Sequence, residues 1–251
     1  MDSANIIAKG TDKIIYQKEG DKAVKIFEET FSKADVLNEA LIHARVEETG
    51  LNVPKIIEII KYNGRWAIVM EFIEGKTLEE LMRENPEKMP EYLNLFVDLQ
   101  LSVHEKRSPR LGMLKDKINR KISTTDLDAT TRYDLHSRLD AMPKHIKVCH
   151  GDYGPSNVIV KDDGTSYIID WAHATQGNAS ADAAISYLLF CINGQNALAE
   201  EYLNLFCKKS DTAKQYIKKW LPLAAASQLL KYDGKAKEIL MSFIEQIEQT
   251  V

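Results

Sequence analysis

Val148-Cys149-His150-Gly151-Asp152-Tyr153-Gly154-Pro155-Ser156-Asn157-Val158-Ile159-Val160, followed by Tyr167-Ile168-Ile169-Asp170-Trp171, is the most informative part of the chain. Its order is strand, polar loop, strand, turn at Asp162-Asp163-Gly164, strand, acid. Two carboxylates, Asp152 and Asp170, and one carboxamide, Asn157, therefore fall at loop positions beside a hairpin. Hard oxygen ligands are what Mg²⁺ takes, commonly one or two carboxylates together with substrate phosphates. An additional acid can receive or orient the proton of a hydroxyl. Phosphoryl transfer needs these parts, because positioning and charge neutralisation do most of its catalysis.

Upstream of this stretch the first seventy residues read as strands around one helix. Ile14-Ile15-Tyr16 and Ala23–Phe27 are β-type runs separated by the turn Glu19-Gly20-Asp21. Ser32, with Asp35 three residues on, opens a helix whose apolar stripe is Leu37, Ala40, Leu41 and Ala44, and Gly50 suits its end. Ile56–Tyr62 and Arg65–Met70 are strands joined by Asn63-Gly64, a strong hairpin signal. After the connector Glu71–Gly75 the texture becomes helical. Thr77 and Glu80 form a capping box, Pro90 opens a helix with Tyr92, Leu95, Phe96, Leu99 and Val103 as its stripe, and helices follow at about 114–123 and 131–142. Short strands are expected at Lys147–Cys149, Val158–Val160 and Ser166–Ile169, and helices from Ser180 to the end.

His-Gly-Asp-x4-Asn followed by Ile-Asp-Trp resembles the catalytic signature of the aminoglycoside phosphotransferases and choline kinases, small-molecule relatives of the protein kinases. The resemblance implies an α+β, bilobal protein-kinase-like fold. A small N-terminal β-sheet lobe with one helix (residues 1–70) would bind the nucleotide. Residues 71–75 would be a hinge, and 76–251 a larger, mainly helical lobe for catalysis and acceptor binding. Asp152 would be the catalytic acid at the acceptor hydroxyl, and Asn157 and Asp170 would hold Mg²⁺. His150 and Asp182 would be structural. Lys25, in Ala23-Val24-Lys25-Ile26-Phe27, resembles the kinase lysine that pairs with the α- and β-phosphates. A lysine in a strand is more often a solvated residue, and the following acid-bearing helix is what favours the functional reading. Glu39 shares a helical flank with Val36, Ala40 and His43 and is the first choice for its partner, with Glu47 and Glu48 as alternatives. Gly10 and Thr11 occupy the place of a short phosphate-covering loop. Glu71 and Ile73 frame the hinge expected at the adenine edge. The implied cofactors are ATP or GTP with Mg²⁺, and the acceptor is a small-molecule hydroxyl. The alternatives are a protein acceptor, or a non-catalytic nucleotide-binding member of the fold. Ala172 departs from the glycine that protein kinases carry after the metal-binding acid and its neighbour, which points to a less switchable segment.

Composition narrows the partners. The 251 residues contain 33 Lys and Arg against 37 Asp and Glu, a net charge of −4, which disfavours sequence-independent nucleic-acid binding. The longest apolar runs, Ala183–Ile192 and Trp220–Leu230, are too short to span a bilayer. The start, Met1 to Asn5, lacks a signal-peptide pattern. Cys149, Cys191 and Cys207 form no CxxC pair and fit buried thiols in a reducing cytoplasm. A cytoplasmic monomer or weak homodimer is expected. From Ala172 onward the chain has eight acids, eight lysines and no arginine. That balance offers no anionic funnel for polycationic aminoglycosides. Tyr187, Tyr202, Tyr216, Trp220 and Tyr232 fit core packing better than a choline cage. The acceptor is therefore left open.

Overall fold

A computed structural model describes residues 6–9 and 13–18 as backbone and 20–245 with side chains. Gly10 and Thr11 lie outside the described residues. The chain forms two compact units, one running to Asn85 and taking in Pro155–His173, the other made of Pro86–Gly154 and the chain after Ala174. Residues 76–85 and the motif hairpin thus fall in the same unit as the sheet, although their texture groups them with the helical part.

The first unit is built on a five-stranded antiparallel sheet in the order β1-β2-β3-β5-β4, with β1 Ile6–Lys9, β2 Lys13–Lys18, β3 Lys22–Phe27, β4 Ile56–Tyr62 and β5 Arg65–Glu71. Asn63 and Gly64 both have positive φ, 50° and 83°, as a two-residue hairpin between right-twisted strands requires. Side chains alternate across a strand. Val24, Ile26, Ala67 and Val69 consequently pack on one face of the sheet. Phe27 and Ile68 face the other way, against Val36 and Ala40 of helix α1, Lys33–Glu47. Lys25 shares the parity of Phe27 and points to the α1 side.

The expected capping box of α1 is present: Ser32 Oγ accepts from the Asp35 amide at 3.2 Å, and Asp35 accepts from the Ser32 amide at 2.9 Å. The expected stripe is corrected. Leu37 and Leu41 are 43% and 48% exposed, and the buried line is Val36, Ala40, His43 and Val46. A histidine hides that phase from a count of apolar residues, but its Nε2 donates to the Pro54 carbonyl at 2.6 Å, which satisfies it inside the core.

Beyond the connector, β6 (Lys76–Thr77) pairs with strand Val158–Val160, which pairs in turn with Ser166–Ile168. Neither β6 nor β1 has a counterpart among the expected strands. The strand over 166–169 ends one residue early because Asp170 turns the chain at φ 59°. Thr77 caps helix α2, Leu78–Glu84, with Glu80 completing the box. Asn52 anchors the hairpin to the sheet: its carbonyl accepts from the Ile168 amide at 3.0 Å.

The second unit is mainly helical. It contains α3 (Met89–His104), α4 (Leu114–Ser123), α5 (Ala129–Ala141), α6 (Ala179–Ile192), α7 (Asn196–Ser210), α8 (Lys214–Lys218), α9 (Leu221–Gln228) and α10 (Gly234–Glu245). Strand Lys147–Cys149 pairs antiparallel with Thr175–Gly177. Helix α6 is buried along almost its whole length and packs on α7, α9 and α10. In α3 the buried set is Leu93, Phe96, Val97, Gln100, Val103 and His104, rotated from the expected stripe. Gln100 explains the rotation: its Nε2 donates to Ser186 Oγ at 3.0 Å and its Oε1 accepts from Tyr202 at 2.6 Å. No described helix is long and apolar enough to cross a membrane.

Candidate active site

Lys25 sits at the centre of the first unit's polar cluster. It is 5% exposed, with its ammonium 2.6 Å from Glu39 Oε1 and 2.7 Å from Asp170 Oδ1. Of the three candidate acids in and just after α1, the structure brings Glu39 to the lysine. Glu47 instead accepts from the Ile56 amide at 2.9 Å. Burial by itself would lower the Lys25 pKa. The charges of Asp170 and then Glu39, with their hydrogen bonds, outweigh it and hold the lysine above its ordinary range.

These groups line one cavity of about 290 Å³ within the first unit. Ala23, Ile56, Ile68, Met70 and Phe72 give it apolar walls, and Lys25, Glu39 and Asp170 give it a charged end. That is the usual make-up of a cofactor pocket: mostly apolar, with a few placed polar groups. Glu71 and Ile73 of the expected hinge line it as well. The Glu71 amide donates to Lys55 O at 2.9 Å and the Phe72 amide to Asp21 O at 2.7 Å, which pins the connector to the sheet.

Asn157 and Asp170 belong to the same unit. The Ile169 amide donates to the Asn157 carbonyl at 2.9 Å, so the backbones bearing the two side chains are tied together. Asp170 has φ 59°, a region L residues avoid, though aspartate tolerates it better than most. Neighbouring Trp171 is fully buried, donates from Nε1 to Ile168 O at 2.9 Å, and lies in a turn that packs on α1. These contacts hold the strained position. The donors are hard oxygens, carboxylate and carboxamide, and fit Mg²⁺ rather than a soft metal.

Asp152 lies in the second unit, in a loop organised by Asp182. Asp182 is fully buried. Its Oδ1 accepts from the Gly151 amide at 2.7 Å, and its Oδ2 accepts from the His150 amide at 3.0 Å and from His104 Nε2 at 2.9 Å. Burial alone would raise its pKa. The His104 hydrogen bond and charge, with the loop amides, bring it below the ordinary value. Gly151 takes φ 79°, which glycine reaches without the penalty a side chain incurs. His150 Nδ1 accepts from the Asp152 amide at 3.2 Å, while Tyr153 stacks on Phe96 and donates to its carbonyl at 2.8 Å. The backbone at Asp152 is thereby held by its neighbours.

A family model described as the phosphotransferase enzyme family matches residues 5–216. The chain belongs to that family. It is a phosphotransferase by family. Solved structures agree in fold. A thermostable mutant of aminoglycoside phosphotransferase APH(4)-Ia, in ternary complex with AMP-PNP and hygromycin B, aligns with TM-score 0.73 and 15% identity over 99% of this chain and 95% of that one. A choline/ethanolamine kinase family protein from Mesorhizobium loti aligns with TM-score 0.62 and 15% identity over 98% and 87%. The GDP and kanamycin complex of APH(2")-IIia aligns with TM-score 0.62 and 17% identity over 99% and 93%. The kinase-like fold is therefore shared. No curated protein sequence gives a significant match.

This phosphotransferase has one site feature that sequence reasoning missed. Lys231 Nζ lies 2.7 Å from Asp152 Oδ2. Lys117 and Lys121, one turn apart on α4, are coupled electrostatically to the same carboxylate. Burial pulls Lys117 down to about 7; Lys121, Arg120 and Lys231 act the same way, and Asp152 opposes them. Lys121 is lowered by burial and by Lys231, again against Asp152. The i, i+4 spacing of Lys117 and Lys121 is visible in the sequence. Nothing there joins them to Lys231, more than a hundred residues on.

Proposed function

We propose that the protein transfers the γ-phosphoryl group of ATP or GTP to a hydroxyl of a small molecule, with Mg²⁺ as the required cation. The observation that carries this reading is buried Lys25, held between Glu39 and Asp170 at the charged end of an apolar-walled cavity. The purine would lie between the apolar walls, with its edge toward Glu71–Ile73. Lys25 would take the α- and β-phosphates, and Glu39 keeps its ammonium in place. Asn157 and Asp170 would hold Mg²⁺, which when bound neutralises the nucleotide phosphates. Asp152 would accept the acceptor's hydroxyl proton as its oxygen bonds to the γ-phosphorus and the nucleoside diphosphate leaves. Gly10 and Thr11 are proposed as phosphate contacts. The nucleotide-bound states of the APH(4)-Ia and APH(2")-IIia structures support the cofactor assignment. A cytoplasmic location and a monomer or weak homodimer remain part of the proposal.

The test is nucleotide-dependent thermal stabilisation in Mg²⁺, followed by turnover. ATP or GTP should raise the melting temperature. Asp152→Ala should cut turnover by ~10³-fold or more while the nucleotide shift is kept. No shift with ATP, ADP, GTP or GDP would sink the proposal.

A further inference from the structure

The surroundings of Asp152 carry the wrong charge for a polycationic acceptor. Lys231, in the turn that follows α9, lies 2.7 Å from the Asp152 carboxylate, and Lys117 and Lys121 of α4 interact electrostatically with that carboxylate and with Lys231. Helix α4 packs on α9, so this grouping is built by the core of the second unit. The buried line Leu114, Ile118 and Ile122 sets the roll of α4 and places Lys117 and Lys121 beside the seam. Arg120, which also disfavours a charged Lys117, is positive too, and the neighbouring Tyr232 is half-buried. Among the described residues no ion pair or side-chain hydrogen bond engages the Lys121 ammonium.

Like charges gathered in a partly desolvated site repel one another, and an anion relieves that repulsion. A cation meets it in full, which discriminates against amine-rich acceptors.

We infer that the acceptor hydroxyl belongs to a small molecule that also carries a carboxylate or phosphate group, which Lys117, Lys121 and Lys231 bind beside Asp152. This rests on the phosphotransferase reading of Asp152. The acceptor's O–H bond breaks, with its proton going to Asp152. Its oxygen bonds to the γ-phosphorus, and the nucleoside diphosphate departs with the electrons of the broken P–O bond. The lysines act on binding, orienting the hydroxyl by holding the anionic end of the same molecule.

The experiment uses the full chain with ATP or GTP and Mg²⁺, and reads nucleoside diphosphate release. Sugar phosphates and glycerol 3-phosphate form one arm, and glycerate and other hydroxy acids the second. Their uncharged counterparts form the third arm, with kanamycin and hygromycin B as the fourth. An anionic arm should exceed its uncharged counterparts by ~10-fold or more in kcat/KM, and the better anionic arm identifies phosphate or carboxylate. Lys121→Gln should raise the acceptor KM by ~10-fold with the nucleotide KM unchanged, and Lys121→Arg should restore it. Independently of turnover, inorganic phosphate and glycerate should stabilise the ADP-saturated protein thermally, and a Lys117→Gln/Lys121→Gln double variant should lose that shift. Preference for an aminoglycoside or for the uncharged arm, absence of any anion shift, or a shift retained in the double variant overturns the inference. A normal anion shift without any nucleotide shift would instead fault the phosphotransferase reading.

Discussion

Lys25 is the residue on which the proposed nucleotide chemistry turns, and its two carboxylate partners make its removal costly in two ways. Lys25→Met leaves Glu39 and Asp170 facing one another without a cation. Turnover should fall by ~10²–10³-fold through loss of phosphate contact. The fold should lose about 3 kcal/mol, at the lower end for a broken buried pair because the Asp170 side chain is 39% exposed. Chemical denaturation and steady-state kinetics read the two effects separately. Its place in a β-run ahead of an acid-bearing helix singles out Lys25 in the sequence, and Glu47 and Glu48 rank behind Glu39 there because they fall near the helix end. Lys231 is not legible there at all, since a lysine after a helix is ordinary unless its spatial neighbour is known.

At the scale of elements, local signals are legible in the sequence and non-local ones are not. Both capping boxes are formed by residues three apart, so the sequence contains everything they need. The phases of α1 and α3 escape a count of apolar residues because each helix buries a polar one, His43 or Gln100, whose partners lie on other elements. The two-residue β6 exists only through pairing with Val160 and Ile159, more than eighty residues away. Gly75, just before it, approaches so closely that a Cβ would lie 2.5 Å from the Val160 carbonyl oxygen. Gly75→Ala should therefore cost about 1–3 kcal/mol by forcing the hairpin away. Gly112→Ala, where a Cβ meets nothing within 4 Å, is the matched control. Equal melting temperatures for the two variants would refute the close approach.

For the whole molecule, the two units set opposite pH limits. The Asp182 pKa is lowered by folding, so its contribution is present above the unfolded carboxylate value near 3.8 and disappears as pH falls toward the folded value. The Lys25 pKa is raised, so its contribution is complete below the unfolded value near 10.5 and disappears as pH rises through the folded one. Acid should thus release the loop around Asp152 in the second unit, and alkali should release the sheet–helix cluster of the first. Asp182→Asn should cost about 2–3 kcal/mol at neutral pH, because an amide cannot accept on both sides. It should also flatten the fall in stability below pH 4, as melting curves from pH 2.5 to 7 would show. A variant as acid-sensitive as the parent would rule the linkage out.

The family, most of the strands and helices, and the positions on which the proposed chemistry rests, Lys25, Asp152, Asn157 and Asp170, can be read from the amino-acid sequence. These are matters of residue type, short spacing and periodicity, and the chain carries them locally. It takes the folded chain to show that Glu39 meets Lys25, that a histidine and a glutamine face the core, and that Lys231 reaches Asp152 from a distant stretch. Burial and electrostatics depend on what arrives from the far side of the chain. For that reason the net charge of −4 says nothing about the local charge around Asp152, where Lys231 sits 2.7 Å from the carboxylate.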